Sequence, residues 1–190
     1  PWQLAARDIF DYELLYIKEG HAVITVEDNQ YEGSPGDIFL FKPKHRHSIT
    51  IDQNHTFRQP HMHFDLIYQE DSPQVKVSFK SIEKMTEEER TLFREDSIPD
   101  MPNKLTVRNV PYFEGLLFEI IQEFQERMPY YEITIKGSFL KLWTYLLREH
   151  QYSLSAVPPT RMEELMLIRE YIRNHAREEL SLEQLSHHFN

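Results

Sequence analysis

"GDIFLFKPKHRHSI" occupies residues 36–49, and its first half decides the fold. Ile38, Phe39, Leu40 and Phe41 are apolar without alternation, as in a strand covered on both faces. The flanking segments alternate instead. "YELLYIKEG" (12–20) places Glu13, Leu15 and Ile17 on one face and Tyr12, Leu14 and Tyr16 on the other, ending at Gly20. "HAVITVEDNQYEG" (21–33) puts Ala22, Ile24 and Val26 on one face, with Asp28-Asn29 as its expected turn. "FRQPHMHFDLIYQ" (57–69) sets Met62, Phe64 and Leu66 against His61, His63 and Asp65, and "VKVSFKSI" (75–82) reads as a further strand. Short strands without intervening helices predict a sandwich or barrel.

The pattern then turns helical. Thr86-Glu87-Glu88-Glu89 is a capping box for a short helix near 86–95, and a Pro-rich connection follows with room for a strand at Leu105 to Arg108. From Pro111, apolar residues at 113, 116, 117, 120, 121 and 124 form one helical stripe; those at 135, 139, 142, 143, 146 and 147 form a second. The short turn around Met128-Pro129 predicts antiparallel packing of helices 111–128 and 131–150. "QYSLSAVPPT" (151–160) has linker composition. Beyond it Thr160-x-x-Glu163 caps a helix with a stripe at Met162, Leu165, Ile168, Tyr171 and Ile172, and Ser181-x-x-Gln184 caps one more.

Composition narrows the function. An apolar fraction of 40% supports a folded core. The absence of cysteine excludes disulfides and thiolate metal sites and suits a cytoplasmic location. No apolar run reaches membrane-spanning length, the first residues lack the pattern of a signal peptide, and a start at Pro1 rather than Met suggests a processed or trimmed chain. A net charge of −10 opposes phosphate gripping by most of the chain.

"IREYIRNHAREELSLEQLSHHF" (168–189) resembles the start of the DNA-binding domain of AraC-type transcriptional regulators, whose pattern is "YI..H" followed by "LSL..LA". Tyr171, Ile172, His175, Leu180, Ser181, Leu182 and Leu185 sit at the patterned positions, with Ser186 where Ala is usual. Leu182 and Leu185 are expected to bury against the preceding helix. "YELLYIKEG…Y…GDIFLFKP…H" is similar to the same family's cupin-type sensor barrel. The resemblance implies a mainly β, cupin-like jelly-roll barrel over 1–110 and a helical dimerisation segment over 111–150, α+β overall. The linker over 151–160 would then lead to an incomplete DNA-binding domain over 161–190. With its reading helix beyond Asn190, no specific DNA binding is expected of this chain, and DNA would be a partner of the full-length protein alone. A small-molecule effector and a second copy of the chain are the expected partners.

Four histidines then need roles. Metal-holding cupins use two histidines two apart, a glutamate seven residues before a glycine, and a later histidine. Glu13, Gly20 and His47 fit, but the early pair falls on Arg7 and Ile9, or on Ala6 and Asp8, so no enzyme is expected. The i, i+2 pairs His45/His47 and His61/His63 could still hold a divalent transition metal if their strands meet, with Asp65 nearby. Without metal, Glu13, His47, His61 and His63 would line an effector pocket whose donors and acceptors suit sugar-like molecules, with Trp2 covering it. Any of them could equally be a hydrogen-bonded core residue, and Trp2 an anchor for the terminus. No obligatory cofactor is expected. His187-His188 reads as solvated surface. A metal-dependent cupin enzyme or metal sensor remains the functional alternative, and a plain interaction protein with a filled barrel another.

Overall fold

A computed structural model of the chain describes residues 2–51, 56–94, 100–154, 165–166, 168–169, 171–172, 175 and 180–189, without the Trp2 side chain. Two four-stranded sheets form its β part. The first has the order β1 (Trp2–Arg7), β6 (His47–Ile51), β3 (Ala22–Val26), β4 (Asn29–Gly33). The second has the order β7 (His61–Phe64), β2 (Tyr12–Tyr16), β5 (Ile38–Phe41), β8 (Lys104–Leu105). Every pairing is antiparallel. The two sheets are the sandwich that the alternation predicts, and with the helices they form the β-rich α+β, cupin-like architecture that the resemblance implies.

The second sheet is buried on both sides. Leu15, Ile17, Phe39 and Phe41 join Ala22, Ile24, Val26 and Ile49 of the first sheet in one apolar cluster between the sheets. Tyr12, Leu14, Tyr16, Ile38 and Leu40 pack in another cluster with residues of α2 (Val110–Glu126) and α3 (Tyr131–Leu154). Each large apolar side chain so buried contributes about 1.5–3 kcal/mol. That double cover explains why β2 and β5 are buried at every position. The β3 strand, in the outer sheet, alternates buried and half-buried instead.

The helices follow their stripes. Asn109 caps α2 by accepting the Tyr112 N–H, Pro111 lies in its first turn, and Phe113, Leu116, Leu117 and Ile120 are buried. Arg127 and Tyr130, both at positive φ, turn the chain into α3. Earlier, Thr86 and Glu89 form the expected capping box around α1 (Glu87–Arg90).

Several expectations need correction. Residues 75–81 form no strand: their segment turns locally at Asp71–Gln74, and the Lys80 carbonyl takes a single bond from the Asp8 N–H. Val75 instead packs on Phe10, Met85 and Phe93 in a third small cluster. The hairpin turn is Glu27-Asp28, with Val26 paired to Asn29. Glu27 takes the left-handed conformation because its N–H donates to the Arg46 carbonyl while its carboxylate accepts the Arg46 N–H at 2.6 Å. The late strand is Lys104–Leu105 rather than 105–108, and α3 continues to Leu154, so residues 151–154 are helical rather than linker.

The chain divides into two compact units, residues 1–147 and 148–190. In the second, residues 165–166, 168–169 and 171–172 are helical, while the expected cap Thr160/Glu163, Met162 and residues 155–160 lie outside the described residues. Ser181 and Gln184 exchange both capping-box bonds at the start of helix Leu182–Phe189. Leu182 is 86% exposed, so it does not bury against the preceding helix. Contact comes from the other end, where Tyr171 stacks on His175 and His188 and meets Phe189 edge-on. Among the described residues no helix is long and apolar enough to cross a membrane.

One polar tether joins helix to sheet. The Glu114 carboxylate of α2 accepts from the Tyr16 hydroxyl at 2.5 Å and from Lys18 Nζ at 2.6 Å. Lys18 first, then Tyr16, holds the Glu114 pKa below the ordinary 4.5. Burial, then the carboxylate, raises that of Tyr16. Because the folded pKa of Glu114 is depressed, its contribution is full above the unfolded value and is lost as pH falls through the folded one. Glu114→Ala is therefore expected to cost about 1–2 kcal/mol at pH 7 in urea unfolding. The gap between wild type and variant should close as pH is lowered below 4.5.

Candidate functional site

The polar residues that face inward gather at one end of the sheet sandwich. Glu13 shares its β2 face with Leu15 and Ile17, so alternation directs its carboxylate between the sheets. Arg7 closes β1 after a register irregularity that begins at Leu4, and pairs in register with His47, the first residue of β6. Directly opposite Glu13 on β7 stands His63, and His61 lies opposite Leu15.

Arg7 holds the centre. Its Nη2 donates to Glu13 Oε2 at 2.6 Å, its Nε to His47 Nε2 at 3.1 Å, and its Nη1 to the Ser78 carbonyl at 3.5 Å. The guanidinium also lies 5.0 Å from the centre of the Phe79 ring. The Arg7 and Glu13 side chains are 5% and 3% exposed, so this ion pair sits in low dielectric and depends on its extra hydrogen bonds.

His47 is neutral there. Burial and the adjacent Arg7 guanidinium push its imidazole down to about 3. With Nε2 accepting from Arg7, the ring proton sits on Nδ1 and is donated to the His45 carbonyl at 3.2 Å. The ring lies flat on Phe41, 4.1 Å away.

The second histidine pair sits at the edge of this network. His63 directs Nδ1 at Asp11 Oδ1, 3.1 Å away, and its Nε2 lies 3.6 Å from Glu13 Oε2. His61 is exposed, with Nδ1 at 3.3 Å from the Gln59 carbonyl, and its ring stands edge-on to His63. Among the described residues, the potential metal-ligating groups that converge are Glu13, His61 and His63, whose ligand atoms lie within 4.8 Å of one another.

The structure thus separates the two histidine pairs. The β6 strand begins at His47 and Lys44 takes a left-handed φ of 68°, so His45 is not on the strand as the i, i+2 reading requires. His45 contributes its carbonyl rather than its ring to His47. Burial, then Lys42, lowers its own pKa. Asp65 is bound to Arg94 and Ser72 rather than to these histidines. Trp2 pairs with Ile51 through β1, and its side chain falls outside the described residues.

Two participants were not among the residues read as site candidates. Asp11 follows no spacing rule. Arg7 did carry a signal, since it falls at a position where the metal-cupin spacing wants a histidine. A cavity of about 540 Å³ lies along β7, α2 and α3. It is lined by His61 and His63 together with Phe64, Ile121, Phe124 and Phe139.

Residues 5–76 match the family model of the AraC-like ligand binding domain. The match spans Arg7, Glu13 and all four of these histidines. It supports an AraC-type sensor region over those residues. No curated protein matches the chain.

Removing one partner of the central pair leaves a buried charge unpaired. Arg7→Met is expected to lower stability by roughly 3–5 kcal/mol. The double variant Arg7→Met, Glu13→Leu should recover much of that loss in chemical denaturation, because it removes both charges together.

Proposed function

We propose that this chain is the effector-sensing and dimerising region of an AraC-family transcriptional regulator. The observation that carries the reading is the family match, which coincides with the segment that builds the polar cluster. In this reading residues 1–110 bind a small polar effector, with a sugar-like molecule favoured. Exposed His61 and half-buried His63 offer it imidazole groups, and Asp11 beside them offers a carboxylate. Glu13 and His47 act from behind, since both are buried against Arg7.

Helices over 111–150 would join two copies about a two-fold axis. Supporting this, α3 exposes Ile133 and Leu140, seven residues apart, with Gly137 and Thr144 on the same stripe. The residues from 161 would open a DNA-binding domain, joined through 155–160. Effector binding would favour one arrangement of the barrel and its attachments, and through that linkage bias DNA binding by a complete helix-turn-helix domain. The setting would be cytoplasmic.

A metal-dependent cupin enzyme is not favoured, because Arg7 stands at a position that chemistry needs for histidine and its cation lies between Glu13 and His47.

A thermal-shift screen of sugars and other small polar metabolites tests the sensor. An effector at about a hundred times its Kd should add about 2.7 kcal/mol of stability, and His63→Ala should erase that gain. A panel that stabilises nothing speaks against the sugar-sensor reading. Sedimentation equilibrium tests the helices: a dimer is expected, shifting to monomer in Leu140→Glu, and a wild-type monomer at high concentration overturns that part.

A further inference from the structure

We propose that Glu13, His61 and His63 form a binding site for one divalent transition-metal ion at the edge of the second sheet. The inference goes beyond the effector reading and does not rest on it. Three geometric facts carry it. The three side chains come from two adjacent antiparallel strands, with His63 directly opposite Glu13 and His61 two residues along the same strand. Their ligand atoms already lie within 4.8 Å of one another. Each imidazole has its Nδ1 held by an oxygen acceptor, Asp11 for His63 and the Gln59 carbonyl for His61.

The third fact decides the chemistry. A carboxylate and a carbonyl accept, so each Nδ1 is the donor atom of its ring and Nε2 is the atom left to face an ion. A carboxylate or carbonyl behind a histidine is the usual outer support of a metal ligand; it sets the tautomer and raises the basicity of the coordinating nitrogen. Two imidazoles and one carboxylate suit zinc, iron(II) or cobalt(II) and disfavour calcium and magnesium, which prefer all-oxygen sites.

Arg7 shapes the site rather than blocking it. Its bond goes to Glu13 Oε2, the oxygen that also lies 3.6 Å from His63 Nε2, so an ion would share that oxygen with the guanidinium, and its hydrogen bond to His47 keeps that imidazole from serving as a fourth ligand. Coordination positions beyond the three protein groups would remain open on the side of exposed His61. The guanidinium weakens the site electrostatically, while Asp11 offsets part of that through His63.

The test is a cobalt(II) titration of the full chain, prepared without a metal-affinity column and read by visible absorption. About one equivalent should bind with a d–d band, as expected for a nitrogen and oxygen donor set, and zinc should displace it. His61→Ala removes an exposed side chain, so the fold stays intact; it should abolish the band. Asp11→Asn should weaken binding by roughly 10–100-fold. His45→Ala and the double variant His187→Ala, His188→Ala should leave the titration unchanged. Absence of a band overturns the site, as does a band that survives His61→Ala or disappears with the His187/His188 variant.

Discussion

Strand β2 has no face left for water, and most of the molecule is arranged around that fact. One side meets the first sheet through Leu15 and Ile17; the other meets α2 and α3 through Tyr12, Leu14 and Tyr16. The strand is also central in its sheet, lying between β5 and β7. Its register with β7 then sets what stands opposite Glu13. A slip of one residue would carry every β7 side chain to the other face, removing His61 and His63 from the carboxylate and Met62 and Phe64 from their packing on α2 and α3.

The same burial makes Glu13 expensive unless it is paired, and Arg7 supplies the pairing. A guanidinium does this well because its fork can serve Glu13, His47 and the Ser78 carbonyl at once. The arrangement closes the interior of the sandwich at this end: His47 is satisfied inside the protein, and Glu13, paired with Arg7, stands behind His61 and His63 at the edge. One arginine thereby separates a structural polar core from a reachable edge.

Much of this was legible from the chain. The unbroken apolar run at Ile38–Phe41, the alternation at Tyr12–Tyr16 and the stripes of α2 and α3 each report their own covering surface, since a side chain's period follows from local backbone geometry. The caps at Thr86 and Ser181 were legible for the same reason, being satisfied within one turn. The Glu27-Asp28 turn was not. Its left-handed residue is held by Arg46, distant in sequence, and no short-range rule favours glutamate there. Residues 75–81 failed for the opposite reason: their alternation is genuine, but among the described residues no strand pairs with them.

By itself the sequence determined the β-rich class, the double burial of β5, the paired helices and the candidate list of polar residues, because periodicity and composition are local properties. Only the tertiary structure decided which candidates meet. His45 and His47 were as close in sequence as His61 and His63. Yet the left-handed Lys44 takes His45 off the strand, and Arg7 claims His47. Glu13 and His63, fifty residues apart, face each other because two antiparallel strands bring them into register. Proximity between strands depends on pairing and layer order, which no single segment encodes.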